Sequence, residues 1–233
     1  MNKELVFVKD MFDKIAPRYD FLNRLLSLRQ DTMWRRQMVD AAKLSKGDTI
    51  LDVACGTCDV ALEASSRLKD QAQIIGLDFS HGMLKLGQSK LQRLGNSAIQ
   101  LVNGNALALP FGKKWVDAVF IAFGIRNIMD RQGALEEFHR VLKPGGRVVV
   151  LELTTPEKGL LRQIYLSYFQ KILPRIGAYF SKDNDAYSYL PESVLKFPSA
   201  SNFARLMKSA GFESVRFKPM TFGIVTLFVG RKP

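Results

Sequence analysis

Five short apolar runs mark out the middle of this sequence, and segments of helical periodicity lie between most of them. The runs are "TILDVAC" from Thr49, "QIIGLDF" from Gln73, "IQLVNGNA" from Ile99, "VDAVFIAFG" from Val116 and "RVVVLEL" from Arg147. Runs that are nearly continuous in apolar residues, rather than alternating, suit strands buried on both faces. Helical patterns run from about Thr57 to Leu68, from Gly82 to Leu94, and through "GALEEFHRVLKPGG", where Pro144 and two glycines end the helix. Such a βαβα alternation predicts a parallel, doubly wound sheet with helices on both faces. A further helix, "SNFARLMKSAGF", leads into two last strands, "SVRFKPMT" and "GIVTLFVGRKP". Only a tight turn at Phe222–Gly223 separates these two, so they must pair antiparallel. The fold class is α/β, with seven strands, mostly parallel, and an antiparallel last strand.

The flanks add helices. Residues 4–44 carry apolar positions such as Leu22, Leu25, Leu26 and Met33 near helical spacing, and Pro17 divides them into at least two helices. Residues 156–198 break the rhythm; their aromatic-rich "LLRQIYLSYFQKILPRIGAYF" reads as a helical insertion over one edge of the sheet. At 233 residues and 47% hydrophobic content, one substantial domain spanning 1–233 is expected. Two cysteines exclude a disulfide scaffold and point to a reducing, cytoplasmic compartment. The N-terminus lacks the pattern of a signal peptide, and no apolar run is long enough to cross a membrane. The net charge of +12 suits a polyanionic partner, either nucleic acid or an anionic membrane surface. The basic residues are dispersed rather than blocked, so an ordinary solvated basic surface explains them equally well.

Both cysteines, Cys55 and Cys58, fall in "LDVACGTCDVA", between the first strand and its helix. A redox dithiol can occupy such a place. A zinc site needs about four ligands, and no second C-x-x-C accompanies this one, while His81 and His139 are isolated. A cofactor turn has more in its favour. Asp52 closes the first strand, Gly56 permits close backbone approach, and Asp78 closes the second strand, where an acid can accept both hydroxyls of a ribose. The other reading is that both acids merely cap helices. The turn has neither the G-x-G-x-x-G of a dinucleotide site nor the G-x-x-x-x-G-K-[ST] of a nucleoside triphosphate site. An acid within it repels phosphate and suits an amino group, which favours S-adenosyl-L-methionine.

The same stretch resembles the first motif of class I S-adenosylmethionine methyltransferases, and "GLDFS" resembles their second. "YDFLNRLLSLRQDTMW" (Tyr19 to Trp34) and "RVLKPGGRVVVLELT" (Arg140 to Thr155) resemble the two signatures of the quinone-biosynthesis C-methyltransferases. "FGIRN" (Phe123 to Asn127) and "YLPESVLKFP" (Tyr189 to Pro198) are also similar to that family, so the matches cover nearly the whole chain in order. The resemblance implies a Rossmann-like fold and methylation of a ring carbon of demethylmenaquinol, and in many members of a ubiquinol precursor as well. It places Thr57, Asp78 and the pair Asn105–Ala106 at cofactor-contacting positions. Ala122 stands where the family often has Ser, so one cofactor hydrogen bond is expected to be missing. Leu22 replaces a usual Met, Asp31 a usual His and Cys58 a usual Gly.

Positioning can supply most of the catalysis of methyl transfer from a sulfonium, provided the accepting ring carbon is electron-rich, as in a quinol. Arg126, following the fourth strand, is the candidate catalytic residue, stabilising a developing quinolate oxygen. The alternative is that it pairs with a nearby acid and shapes its loop. A bound water or Asp31 is the candidate proton acceptor. His81 is expected at the cofactor mouth or in solvent and His139 in solvent, neither with a catalytic role. No metal is expected. An isoprenoid tail on the substrate would suit the apolar insertion, and the basic surface would suit anionic lipid at the inner face of the cytoplasmic membrane. An RNA or other small-molecule methyltransferase is the rival within this fold, but no appended RNA-binding module is visible, so nucleic acid is not an expected partner. A homologue that binds the cofactor without activity is the non-enzymatic rival. Oligomeric state is left open.

Overall fold

A computed structural model describes residues 10–13, 16, 20, 21, 23–25, 27–156, 159–167 and 184–233. The helix break expected at Pro17, the apolar positions Leu22 and Leu26, and the centre of the expected insertion lie outside the described residues. In chain order the elements are α1 (Gln30–Ala42), β1 (Thr49–Val53), α2 (Asp59–Leu68), β2 (Gln73–Asp78), α3 (His81–Arg93), β3 (Ile99–Asn103), β4 (Val116–Ala122), α4 (Arg131–Val141), β5 (Leu142–Leu153), α5 (Leu160–Ser167), α6 (Asn184–Lys196), α7 (Ala200–Ser209), β6 (Glu213–Met220) and β7 (Val225–Arg231).

The seven strands form one sheet in the order β3-β2-β1-β4-β5-β7-β6. The first five are parallel to their neighbours; β7 runs antiparallel to both β5 and β6. Strand order reverses between β1 and β4, the place where open α/β sheets bind ligands beyond their carboxyl ends.

Side chains alternate between two apolar layers, which is why the strands read as unbroken apolar runs. Ile50, Phe120, Val149 and Leu151 face the layer that includes Trp34, Met38 and Val39 of α1. Leu51, Val119, Val148 and Val150 face the layer that includes Phe138 of α4 and Phe203 of α7. Ser80, Asp130 and Ser199 start α3, α4 and α7 by accepting hydrogen bonds from the backbone N–H groups of Met83, Gly133 and Asn202.

Two expectations need correction. The helix read through to Pro144 ends at Val141, and Leu142 already pairs with Val116 of β4. The register then jumps to Arg147 opposite Ala118, because Pro144 has no N–H to give the ladder and Gly145 takes a φ of +82°. His139 is not in solvent: it packs edge-on against Phe212 at 5.2 Å, and burial lowers its pKa.

Candidate active site

The turn after β1 is wound more tightly than its single glycine suggests. Ala54, Gly56 and Cys58 all adopt positive φ, at 52°, 55° and 72°. This brings the Gly56 N–H to Asp78 Oδ2 at 2.7 Å, while Ser80 N–H donates to Asp78 Oδ1 at 2.8 Å. Two backbone donors thus fix the carboxylate at the end of β2. Burial raises its pKa, although those bonds and one from Phe79 pull the other way. Asn103 ties β3 to the same corner by donating from Nδ2 to the carbonyls of Asp78 and Phe79, at 2.9 and 3.2 Å.

A cleft of about 800 Å³, counting its open mouth, lies over the ends of β1, β2 and β4 and the loop after β3. Gly56, Asp78, Asn105, Ala106 and Ala122, all singled out from the sequence, line it. Asn105 commits its Oδ1 to the Leu107 N–H at 3.0 Å, which shapes the loop beneath it. Phe12, Ser80, Met83, Phe123, Asn127 and Ile128 complete much of the wall. Asp52, Thr57 and Arg126 are not among the lining residues. Asp52 is buried, accepts from the Ala61 N–H at 3.2 Å, and is pushed up to about 8 by that burial. Burial of this kind favours the protonated carboxyl over the carboxylate.

Thr57 Oγ1 donates to Asp20 Oδ1 at 2.5 Å, and Lys90 Nζ holds Asp20 Oδ2 at 2.7 Å. Lys90 also pairs with Asp59, which pairs with Arg35 at 3.2 Å, which pairs with Asp31 at 2.5 Å. A chain of alternating charges therefore runs from the N-terminal segment to the start of α2. Asp31 is engaged by Arg35 and by Ser27 Oγ at 2.9 Å. Asp13 reinforces the same seam by accepting from Ser80 Oγ and from the Gly82 N–H.

Arg126 Nη1 pairs with Glu152 Oε1 at 2.7 Å, and the Arg126 N–H donates to Glu152 Oε2 at 3.1 Å. Glu152 is fully buried on β5. This acid was missed in the sequence, where it sits inside an apolar strand; its polarity amid that run was the available signal. Next along the loop, Tyr189 Oη of α6 donates to Asn127 Oδ1 at 3.1 Å, joining two of the sequence stretches singled out above.

The two cysteines are free and buried. Their thiols fill notches made by glycines: a Cβ on Gly76 would stand 2.9 Å from Cys55 Sγ, and one on Gly87 would stand 2.7 Å from Cys58 Sγ. Hydrogen bonding to Cys58, then burial, raises the Cys55 pKa, the opposite of what a reactive thiol requires. Among the described residues no group of ligating side chains could hold a metal.

The cleft suits a nucleoside. The anchored Asp78 carboxylate keeps lone pairs for a vicinal diol, and Leu77, Met83 and Ile128 offer apolar surface to a base. A sequence profile described as the ubiE/COQ5 methyltransferase family matches residues 1–232. "Ubiquinone/menaquinone biosynthesis C-methyltransferase UbiE" of Geobacter sulfurreducens is 48% identical over 226 residues, covering 97% of this chain and 88% of the relative. "Demethylmenaquinone methyltransferase" of Anoxybacillus flavithermus is 39% identical, with coverage of 97% and 95%. Among solved structures, the [4+2]-cyclase SpnF superposes with a TM-score of 0.71 at 19% identity, covering 97% of this chain and 95% of its own. A SAM-dependent methyltransferase from Aquifex aeolicus gives 0.64 at 17% identity, with coverage of 85% and 89%. At such identities these two show the fold alone.

Proposed function

The chain belongs to the ubiE/COQ5 methyltransferase family, and from that premise we propose that its cleft holds S-adenosyl-L-methionine against the ring of a demethylmenaquinol-type substrate. The protein is an S-adenosyl-L-methionine-dependent C-methyltransferase of quinone biosynthesis. The observation that carries the reading of the site is the Asp78 carboxylate, fixed by the Gly56 and Ser80 N–H groups where the strand order reverses. Bound there, the cofactor supplies a methyl group activated by a sulfonium.

In this reading Asp78 accepts the ribose hydroxyls. Gly56 lets the chain approach closely, Asn105 and Ala106 flank the base, and Ala122 leaves room where a hydroxyl would otherwise reach the cofactor. Asp52 and Thr57 act through the turn: Asp52 ties it to α2 and Thr57 ties it to the N-terminal segment. Arg126 stabilises negative charge developing on a ring oxygen. It does so from behind the cleft wall, beside Asn127, and the paired Glu152 weakens the field that reaches the ring. An isoprenoid tail would make the substrate lipid-soluble, which favours methylation at a membrane surface, and the net charge of +12 favours an anionic one. Among the described residues no helix is long and apolar enough to cross that membrane.

A methylation assay with radiolabelled cofactor and a reduced demethylmenaquinone tests the substrate. For Arg126, the single change Arg126→Ala would strand a buried carboxylate, at a cost of about 3–5 kcal/mol. Arg126→Met with Glu152→Gln removes both charges together. Turnover should fall roughly 100-fold or more with cofactor affinity unchanged; near-normal turnover would make the pair a scaffold only.

A further inference from the structure

We propose that the corner formed by residues 20, 21, 23–25 and 27–36 and the β6–β7 turn docks the protein on an anionic lipid surface. Large apolar side chains are concentrated there in the open: Phe222 is 81% exposed, Leu28 79%, Phe21 60%, Met33 42% and Leu25 41%. The two most exposed sit at turn tips with left-handed backbone, Thr221 and Phe222 at φ 45° and 59°, Leu28 and Arg29 at 51° and 62°. Left-handed geometry is unfavourable for a residue with a Cβ, and neither apolar tip recovers this by burial.

Hydrogen bonds place the tips side by side. Thr221 Oγ1 donates to Gln30 Oε1 at 2.8 Å and accepts from Trp34 Nε1 at 2.9 Å. Trp34 in turn meets Phe123 edge-on at 6.2 Å, and Phe123 is a wall of the cleft. Val225 at the start of β7 lies opposite Leu153 at the end of β5, so the β6–β7 turn stands on the carboxyl edge of the parallel strands, where the cleft opens. The apolar corner is therefore continuous with the rim of the site.

Its charge selects the partner. Arg24, Arg29 and Lys218 are exposed around the tips. Asp31, the acid of this stretch nearest the tips, is buried against Arg35. Each cation near an anionic bilayer adds electrostatic attraction, and apolar tips that enter the headgroup region add to it. A second copy of the chain would set like charges against each other. Delivery of a lipid-dissolved quinol to the cleft by this contact rests on the proposed function; the contact itself does not.

Vesicle sedimentation tests the surface. The protein should bind phosphatidylglycerol-containing vesicles, release from them in high salt, and bind phosphatidylcholine vesicles far more weakly. Phe222→Ser and Leu28→Ser should each weaken binding roughly tenfold. Cofactor affinity by calorimetry and turnover of a short-tailed, water-soluble quinol should not change in Phe222→Ser. The surface is refuted if the protein ignores anionic vesicles, if both variants sediment like the parent, or if light scattering shows that the variants lose self-association instead. If the parent binds vesicles, the variants do not, and no quinol is methylated, the docking surface stands and the substrate reading fails.

Discussion

Cys58 shows how one residue can carry opposing effects. Its φ of 72° is a glycine conformation, while its fully buried thiol fills the space above Gly87. Cys58→Gly relieves roughly 1 kcal/mol of backbone strain and forfeits a buried sulfur of similar worth, so its melting temperature should stay within a few degrees of the parent. Gly87→Ala alone drives a methyl against Cys58 Sγ and should cost about 1–3 kcal/mol. In the double variant most of that loss should vanish. Additive losses in thermal melts would show that the thiol does not fill the notch.

Asp52 yields a prediction with a definite sign. Burial lifts its folded pKa from 3.8 to about 8, so the folded state binds the proton more tightly than the unfolded chain does. Its stabilising contribution is complete below the unfolded value and is lost as pH rises through the folded one. Asp52→Asn keeps the shape without the titration. Relative to the variant, the parent should lose several degrees of melting temperature as pH rises from about 4 to 8; parallel curves would show that folding does not raise the Asp52 pKa.

At the level of elements, the alternating chain Asp31–Arg35–Asp59–Lys90–Asp20 fastens the N-terminal segment to α2 and α3. Burial pushes the Asp59 pKa up, but Arg35 and Lys90 outweigh it, and the net direction is down. Its contribution is therefore present above the unfolded value and fades as pH falls through the folded one. Lys90→Met leaves Asp20 and Asp59 without that cation. Trypsin should then cleave after Arg24 or Arg29 several-fold faster than in the parent, read by mass spectrometry. Equal cleavage rates would mean that apolar packing alone holds the segment. Little of this seam could be read from the sequence, because beyond the Asp31–Arg35 pair one helical turn apart it joins residues 24 to 70 positions apart. The strands were legible because burial on both faces leaves an unbroken apolar signature. That Asp78 and Gly56 would line the cleft was legible because strand ends and a turn glycine mark the carboxyl edge of the sheet. Asp52 looked equivalent to Asp78, since position at a strand end does not reveal that its carboxyl turns back under α2 to Ala61. Pro144 and its glycines signalled an end to α4, but not that β5 had already begun at Leu142.

For the molecule as a whole, the cleft draws on the ends of β1, β2 and β4, the loop after β3 and Phe12 of the N-terminal segment, whereas β6 contributes nothing to its wall. A ligand that binds only the folded state at 100 times its Kd stabilises by about 2.7 kcal/mol. Melting should therefore rise by roughly 5–10 °C with saturating S-adenosyl-L-methionine. The gain should be uneven. Amide hydrogen exchange should slow most at residues 54–58, 78–84 and 104–107 and in the N-terminal segment. The exposed edge strand β6, paired with β7, lies across the sheet from the cleft and should slow only as far as the global unfolding free energy rises. Protection concentrated in β6 and β7 would instead place the cofactor on the other side of β5. That outcome would remove the site from the reversal point between β1 and β4, and with it the role given to Asp78.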